Sequence, residues 1–392
     1  MKRSVPGFAL VVALAVAPPV AGQSLFSAAG LGLPIASLDA RSRALGNPGI
    51  GLSGSAILPE DPAASAGLFA PTATFTAQPS WVSFQGLGDD GAGTFQGTRF
   101  PTVGVAYPVG GWGMATATFG SVLDQRYGVE QAGTVELQDG TAEVTDRFLS
   151  DGGLSVVRLG VSRVLGGGVA VGLSLGRYTG KVVRRFERTF LTAVGSSTVQ
   201  QFQAGGFWSY SGTNVIAGAS WDISRIVRVA GSVSWSSSLH AKPSDDTKGE
   251  AASYDLPLRI RLGGSGLLAP GMSLTAGISL EDWSGTTGDL HSGGTSGFIK
   301  DIGIGLELGQ ASLAGRSMPI RLGYRRRDLP FVMNGATPRE HVYSGGFGLA
   351  FREVEGVTMA GVDLSLERGK RYDDVLSETF WRGTITLTVA GF

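Results

Sequence analysis

Arg259, Glu281, Asp301, Glu307, Arg321, Arg325, Asp363 and Glu367 share one phase of segments whose other phase is apolar. Carboxylates facing guanidinium groups across neighbouring strands form bidentate, charge-assisted pairs. Counting back from the turns sets Glu307 beside Arg321, and Asp301 beside Arg325 and Arg327. Arg321 then faces Asp363 across Gly346, and Arg325 faces Glu367 across Val342. The spacing predicts a ladder of ion pairs on one face of a sheet. Such a ladder satisfies a polar interior and fixes register; it could also line a polar route or hold a plug. Other chemistry is poorly supplied. His240, His291 and His341 are the three histidines and there is no cysteine. They fall on separate hairpins, which offers neither a nucleophile–base pair nor a zinc set. The sequence therefore gives no catalytic residue, metal or cofactor. A formal net charge of zero without a basic stripe excludes nucleic acid as a partner.

The elements that carry these charges alternate with a period of two, as in Met272-Ser273-Leu274-Thr275-Ala276-Gly277-Ile278 and Val362-Leu364-Leu366. That period means β-strand with two unlike faces. No internal run is long and apolar enough for a membrane helix, while each alternating run suits a tilted strand crossing a bilayer. Fourteen strands are expected from Trp81 onward, near 81–87, 98–109, 112–124, 152–165, 168–188, 199–224, 227–240, 252–266, 271–284, 296–310, 317–328, 339–353, 356–369 and 378–391. Keeping 199–224 as one strand preserves an alternation of short and long joins and an even count. The longest join, 125–151, is mainly acidic. Val229, Val233, Trp235, Ile260, Ile278, Leu322 and Leu364 belong to the lipid phase. The expected fold is all-β: a 14-stranded antiparallel transmembrane β-barrel with an N-terminal hatch or plug segment. Closure removes the unpaired edges that lipid cannot satisfy.

The chain divides into residues 1–22, 23–80 and 81–392. Lys2, Arg3, the short apolar run Phe8–Val16 and the small residues before Gln23 read as a secretory signal peptide, cleaved near Gly22. Residues 23–80 are too apolar for a linker and read as the hatch or plug, with helical turns at 39–45 and 63–69. Asp61 is placed to cap the second turn and Pro62 to open it. Residues 81–392 form the barrel.

Ala40-Arg41-Ser42-Arg43-Ala44-Leu45-Gly46 and Glu60-Asp61-Pro62-Ala63-Ala64-Ser65-Ala66, followed by fourteen strands, resemble the outer-membrane family of the long-chain fatty-acid transporter and the PorV-type proteins. Where the family has Asn-Pro-Ala, this chain has Ala70-Pro71-Thr72. The resemblance implies a porin-like protein of the cell outer membrane, exported by its signal peptide and inserted by the barrel-assembly machinery. It would pass hydrophobic small molecules such as fatty acids by passive diffusion through a hatch-gated barrel. It implies a hatch with Arg41, Asn47, Asp61 and Pro62 in place, and an outer apolar groove drawn from Phe190, Leu191, Phe331, Val332 and Met333. Partners would be outer-membrane lipids and a fatty acid or other lipophilic ligand. In the alternative, PorV-like branch, the outer loops bind a surface or secretion protein.

Overall fold

The computed structural model describes residues 23–86, 92–137, 140–190, 201–289, 297–333, 335–354 and 357–391. The signal-peptide reading, Leu191, His291 and Phe392 lie outside them. Fourteen antiparallel strands form one closed wall. They are β1 (Thr72–Gln85), β2 (Ala92–Arg99 and Thr102–Val109), β3 (Gly113–Asp124, continuing as Tyr127–Leu137) and β4 (Gly140–Gly166). Next come β5 (Val169–Phe190), β6 (Gln201–Ser224), β7 (Val227–Ser236 and Leu239–Pro243) and β8 (Ala252–Tyr254 and Arg259–Ala269). β9 (Met272–Asp282), β10 (Phe298–Leu308), β11 (Ile320–Asp328), β12 (Arg339–Val354), β13 (Val357–Tyr372) and β14 (Ser377–Ala390) complete it. β1 pairs with β14, from Thr72 opposite Ala390 to Gln85 opposite Ser377, and this closes the sheet.

Alternation decides which face meets lipid. Leu322 is 58% exposed, whereas its neighbour Arg321 is 4% exposed. Leucine outside and arginine inside invert the rule for a soluble protein. A continuous apolar outer wall is stable only against hydrocarbon. The wall is therefore that of a transmembrane barrel.

Two segments depart from expectation. The barrel begins at Thr72, before the expected start at Trp81. Thr72, Thr74, Thr76 and Gln78 point inward and their partners outward are mostly small, so the apolar signal is weak there. The acidic stretch 125–151 is not a loop. β3 continues as Tyr127–Leu137 and pairs with the first part of β4, from Tyr127 opposite Ser150 to Glu136 opposite Thr141. β4, β5 and β6 thus rise well past their neighbours. This rise is tied by Arg188 to Asp146 at 2.6 Å and by the rings of Phe148, Phe186 and Phe202, with centroids 4.9 and 6.2 Å apart.

β2 is broken at Phe100-Pro101. Below the break its Thr102–Val109 half pairs with β3. Among the described residues no ladder joins the Ala92–Arg99 half to β3. The wall carries a seam there.

Candidate functional site

Residues 23–70 run across the inner face of the wall. Their backbone meets it where the inward residue is glycine. A Cβ at Gly303 would lie 1.7 Å from the Gly46 carbonyl oxygen, and one at Gly305 would lie 2.3 Å from that of Leu45. A Cβ at Gly323 would lie 2.3 Å from the Leu45 carbonyl carbon, and one at Gly172 2.4 Å from that of Pro62. Gly46 itself adopts φ +60°, the left-handed region that glycine favours. Glycine is used here for close approach of two backbones.

Polar side chains then lock the segment. The helix α1 (Ala40–Ala44) is capped by Asp39, whose carboxylate accepts from the Ser42 N–H at 2.7 Å. Arg41 reaches out of it to donate to both carboxylate oxygens of Glu307, at 3.0 and 2.9 Å, and to the Ser53 carbonyl at 2.8 Å. Arg43 meets Glu367 at 3.4 Å. Asn47 accepts from the Gly49 and Ile50 N–H groups at 2.7 and 2.9 Å and donates to Thr275 at 3.1 Å. Pro62 opens a 3₁₀ turn, Pro62–Ser65, as expected, but Asp61 makes no side-chain cap there. Its carboxylate accepts from the Gly51 N–H at 3.4 Å instead, so Asp61 bridges two turns of the segment. Glu60 pairs with Arg261 at 2.8 Å and with Arg158 at 3.3 Å.

Burial alone would raise the Glu60 carboxyl, but Arg261 and Arg158 hold it down at about 2, against an ordinary 4.5. The depressed value fixes the sign. Glu60 stabilises docking above about pH 4.5, and this contribution is lost as pH falls through about 2. Wild type is expected to unfold at higher temperature than Glu60→Gln at pH 7, with the gap narrowing toward pH 2. A gap independent of pH would contradict this.

Ion pairs line the inner face, with two changes of partner: Glu367 leaves Arg325, and Arg327 pairs with Glu340 and not with Asp301. Arg321 donates to Glu307 at 2.6 Å and also binds Asp363. Arg325 pairs with Asp301, and Arg259 with Glu281. Glu367 lies with Arg382 at 3.0 Å and Arg43, not with Arg325. A second cluster was not legible in the sequence. Glu340 meets Arg327 at 2.9 Å and Arg371 at 2.8 Å, and Arg371 meets Glu378 at 2.6 Å. Glu378 in turn accepts from Ser24 at 2.7 Å and from the Leu25 N–H at 2.6 Å. Arg371 sits in a stretch read as loop, although it keeps the phase of Glu367.

The expected outer groove does not form as one surface. Phe331 is fully buried, in a cluster with Phe26, Leu25, Leu329 and Phe380. Its ring lies 6.5 Å from that of Phe26, and Met333 packs on the cluster's edge. Val332 adjoins it in sequence and is half-buried. Phe190 ends β5, opposite Val144 of the raised hairpin. Phe331 turns inward because the apolar start of the N-terminal segment offers it more burial than the rim does.

A cavity of about 70 Å³ lies between the segment and the wall. Ile35, Val122, Leu123, Leu154, Leu256 and Trp283 give it an apolar side; Arg259, Arg261, Arg325 and Arg327, each paired with a carboxylate, give it a polar one. Beyond the segment, toward the short-turn ends, hollows of about 820 and 320 Å³ open beside Glu307 and Arg41 respectively. The apolar side backs onto the seam. There Leu33 and Pro34 add as a short strand to β3, opposite Asp124 and Leu123. Ile35 N–H donates to Val122 at 2.7 Å, and Gln23 N–H donates to Arg126 at 2.9 Å. Arg99 meets Asp124 across the seam at 3.8 Å.

No family model and no curated protein sequence matches this chain. Solved structures do. The Ralstonia pickettii toluene transporter TbuX aligns at 14% identity over 90% of this chain and 98% of its own, with a TM-score of 0.57. A Pseudomonas aeruginosa FadL homologue aligns at 10% identity over 92% and 100%, with a TM-score of 0.61. The Pseudomonas putida toluene transporter TodX aligns at 11% over 92% and 99%, with a TM-score of 0.57. At these identities the likeness is one of fold: the chain is a fourteen-stranded barrel built like those of hydrocarbon transporters.

Proposed function

We propose that the protein is an outer-membrane channel for lipophilic small molecules, and that residues 23–70 act as its hatch. The observation that carries this reading is the seam. A cavity with one apolar side lies directly behind a stretch of wall that residues 33–35 cover where, among the described residues, no strand ladder joins its two sides. A lipophile held there reaches the bilayer by displacing residues 33–35, without crossing the aqueous side. The ion-paired polar groups on the cavity's other side suit an amphipathic ligand with a polar head, such as a fatty acid. The barrels it resembles in fold include toluene transporters, which supports a hydrophobic cargo. A cavity of about 70 Å³ is too small for an extended acyl chain, so passage requires the segment to shift.

Two engineered disulfides separate the possible movements. Ser37 Cβ lies 3.1 Å from where a Cβ would stand at Gly120, beside the seam. Ser65 Oγ lies 2.8 Å from Ser162 Oγ, deep in the lumen. The chain has no native cysteine to interfere. In liposomes, the Ser37→Cys/Gly120→Cys pair is expected to slow uptake of a labelled fatty acid about tenfold, with recovery on reduction. The Ser65→Cys/Ser162→Cys pair should leave it near wild type. Wild-type uptake no faster than protein-free liposomes would sink the transport reading. Slowing by the deep tether alone would replace the seam with a route through the hatch.

A further inference from the structure

The outer wall at the long-join ends of β10–β13 carries an unusual density of positive charge. Lys300, Arg326, Arg339, Arg368 and Lys370 all face outward there, in the phase of Leu322 and Leu366. Arg326 stands opposite His341, which stands opposite Lys370. Arg326 and Lys370 thus flank His341 from the strands on either side of it. Among the described residues of these strands, Asp328 is the one carboxylate in that phase at that end. It is shared by Arg326 at 3.9 Å and Arg339 at 3.7 Å.

Aromatic rings fix the depth of the cluster. Lys300 lies over Phe298 at 5.9 Å, Arg368 over Trp381 at 5.1 Å and Lys370 over Tyr372 at 5.4 Å. Tyr324 and Tyr372 hold the His341 ring from either side, at 2.7 and 3.5 Å. Tyrosine and tryptophan at strand ends mark the level of lipid headgroups. Cations at that level, in excess over acids, face whatever the leaflet presents. Guanidinium and ammonium groups together recognise phosphate, the first through its fork and the second as a point charge.

We infer that this face binds the phosphate groups of a phosphorylated lipid of the outer leaflet, held across β10–β13 by Arg326, Arg368 and Lys370. The inference rests on the outer-membrane placement of the barrel and not on what passes through it. The anion would sit between Arg326 and Lys370, over the strand that carries His341. The acyl chains would lie along Ile302, Ile304 and Leu322 below.

The test uses the full chain in detergent, titrated with diphosphorylated lipid A, with the same lipid after phosphatase treatment, and with inorganic phosphate as competitor. Native mass spectrometry reads the bound fraction. The phosphorylated lipid is expected to bind at least about tenfold more tightly than its dephosphorylated form. Millimolar inorganic phosphate should leave that binding in place. Arg326→Gln/Lys370→Gln should remove the preference, whereas Arg177→Gln on the outer face of β5 should keep it. Lys370→Arg should retain what Lys370→Gln loses. Equal binding of the two lipids by wild type overturns the proposal, even if the double variant fails to fold. So does displacement of the lipid by inorganic phosphate, which would make the face a site for a free anion. Because binding is read without transport, failure here leaves the channel reading standing.

Discussion

Glu340→Ala is expected to destabilise the folded barrel by about 3–5 kcal/mol, the usual cost of leaving buried charges without their partner. Glu340 is 2% exposed and faces Arg327, Arg371 and Arg382 at 2.9, 2.8 and 4.0 Å. These guanidinium groups come from β11, β13 and β14, so one carboxylate joins strands on both sides of its own. They are also buried, at 7%, 2% and 6% exposure, and cannot turn to lipid. Removing the carboxylate strips Arg327 of its ion pair, while Arg371 keeps Glu378 and Arg382 keeps Glu367. Arg371 also holds Glu378, which anchors Ser24 and the Leu25 N–H, so the loss spreads to the start of the N-terminal segment. The temperature at which the compact band is lost on a semi-native gel measures the effect. Glu340→Gln, which keeps acceptors but not charge, should fall between wild type and alanine. An unchanged transition for alanine would show that the cluster does not hold the strands together.

Gly303→Val is expected to dislodge the N-terminal segment while the barrel still forms. The added Cβ would stand 1.7 Å from the Gly46 carbonyl oxygen, and backbone cannot yield as a flexible side chain does. Gly303 lies mid-strand in β10 without a left-handed φ, so valine suits its conformation and its strand propensity is higher. The conflict is therefore confined to docking. Gly305 on the same strand, Gly323 on β11 and Gly263 on β8 bring the same segment close, so no neighbouring space receives the displaced chain. Leak of a small hydrophilic dye from liposomes should rise about tenfold, equivalent to about 1.4 kcal/mol of lost docking. Protease should cut within residues 23–70. Gly345→Val is the control: it faces outward, with its nearest contact 3.6 Å away at Leu322. Equal leak from both variants would argue that the segment does not close the lumen.

How far the sequence foretold this structure depended on what each stretch faces. β8 to β14 were legible because each touches hydrocarbon on one side and charge on the other, so type alone reports the face. Glu307 opposite Arg321 follows from the same phase counted across a turn. The first strand was missed at Thr72–Ser80 because threonine and glutamine inside and small groups outside give little contrast. The hairpin 127–150 was read as loop because its many charged residues, among them Glu130, Glu136, Glu143, Asp146 and Arg147, outweigh the apolar beat of Val129, Val144 and Phe148. Phe331 was assigned to the surface because local sequence cannot show that Phe26, some three hundred residues earlier, waits inside. Arg371 escaped because strand ends blur first and a charged end looks like a loop; Glu340 lay within the expected strand 339–353, but its partner Arg371 did not. The glycines that seat the N-terminal segment were visible as inward residues, but only the fold shows which backbone presses on them.

The unequal strands give the molecule a front and a back. β4 runs for 27 residues and β11 for nine. At about 3.3 Å per residue that difference is about 60 Å of contour. Among the described residues, the mouth viewed down the barrel axis has a parapet on one flank and a low sill on the other, so its outline is lopsided and its opening is tilted toward the shorter strands.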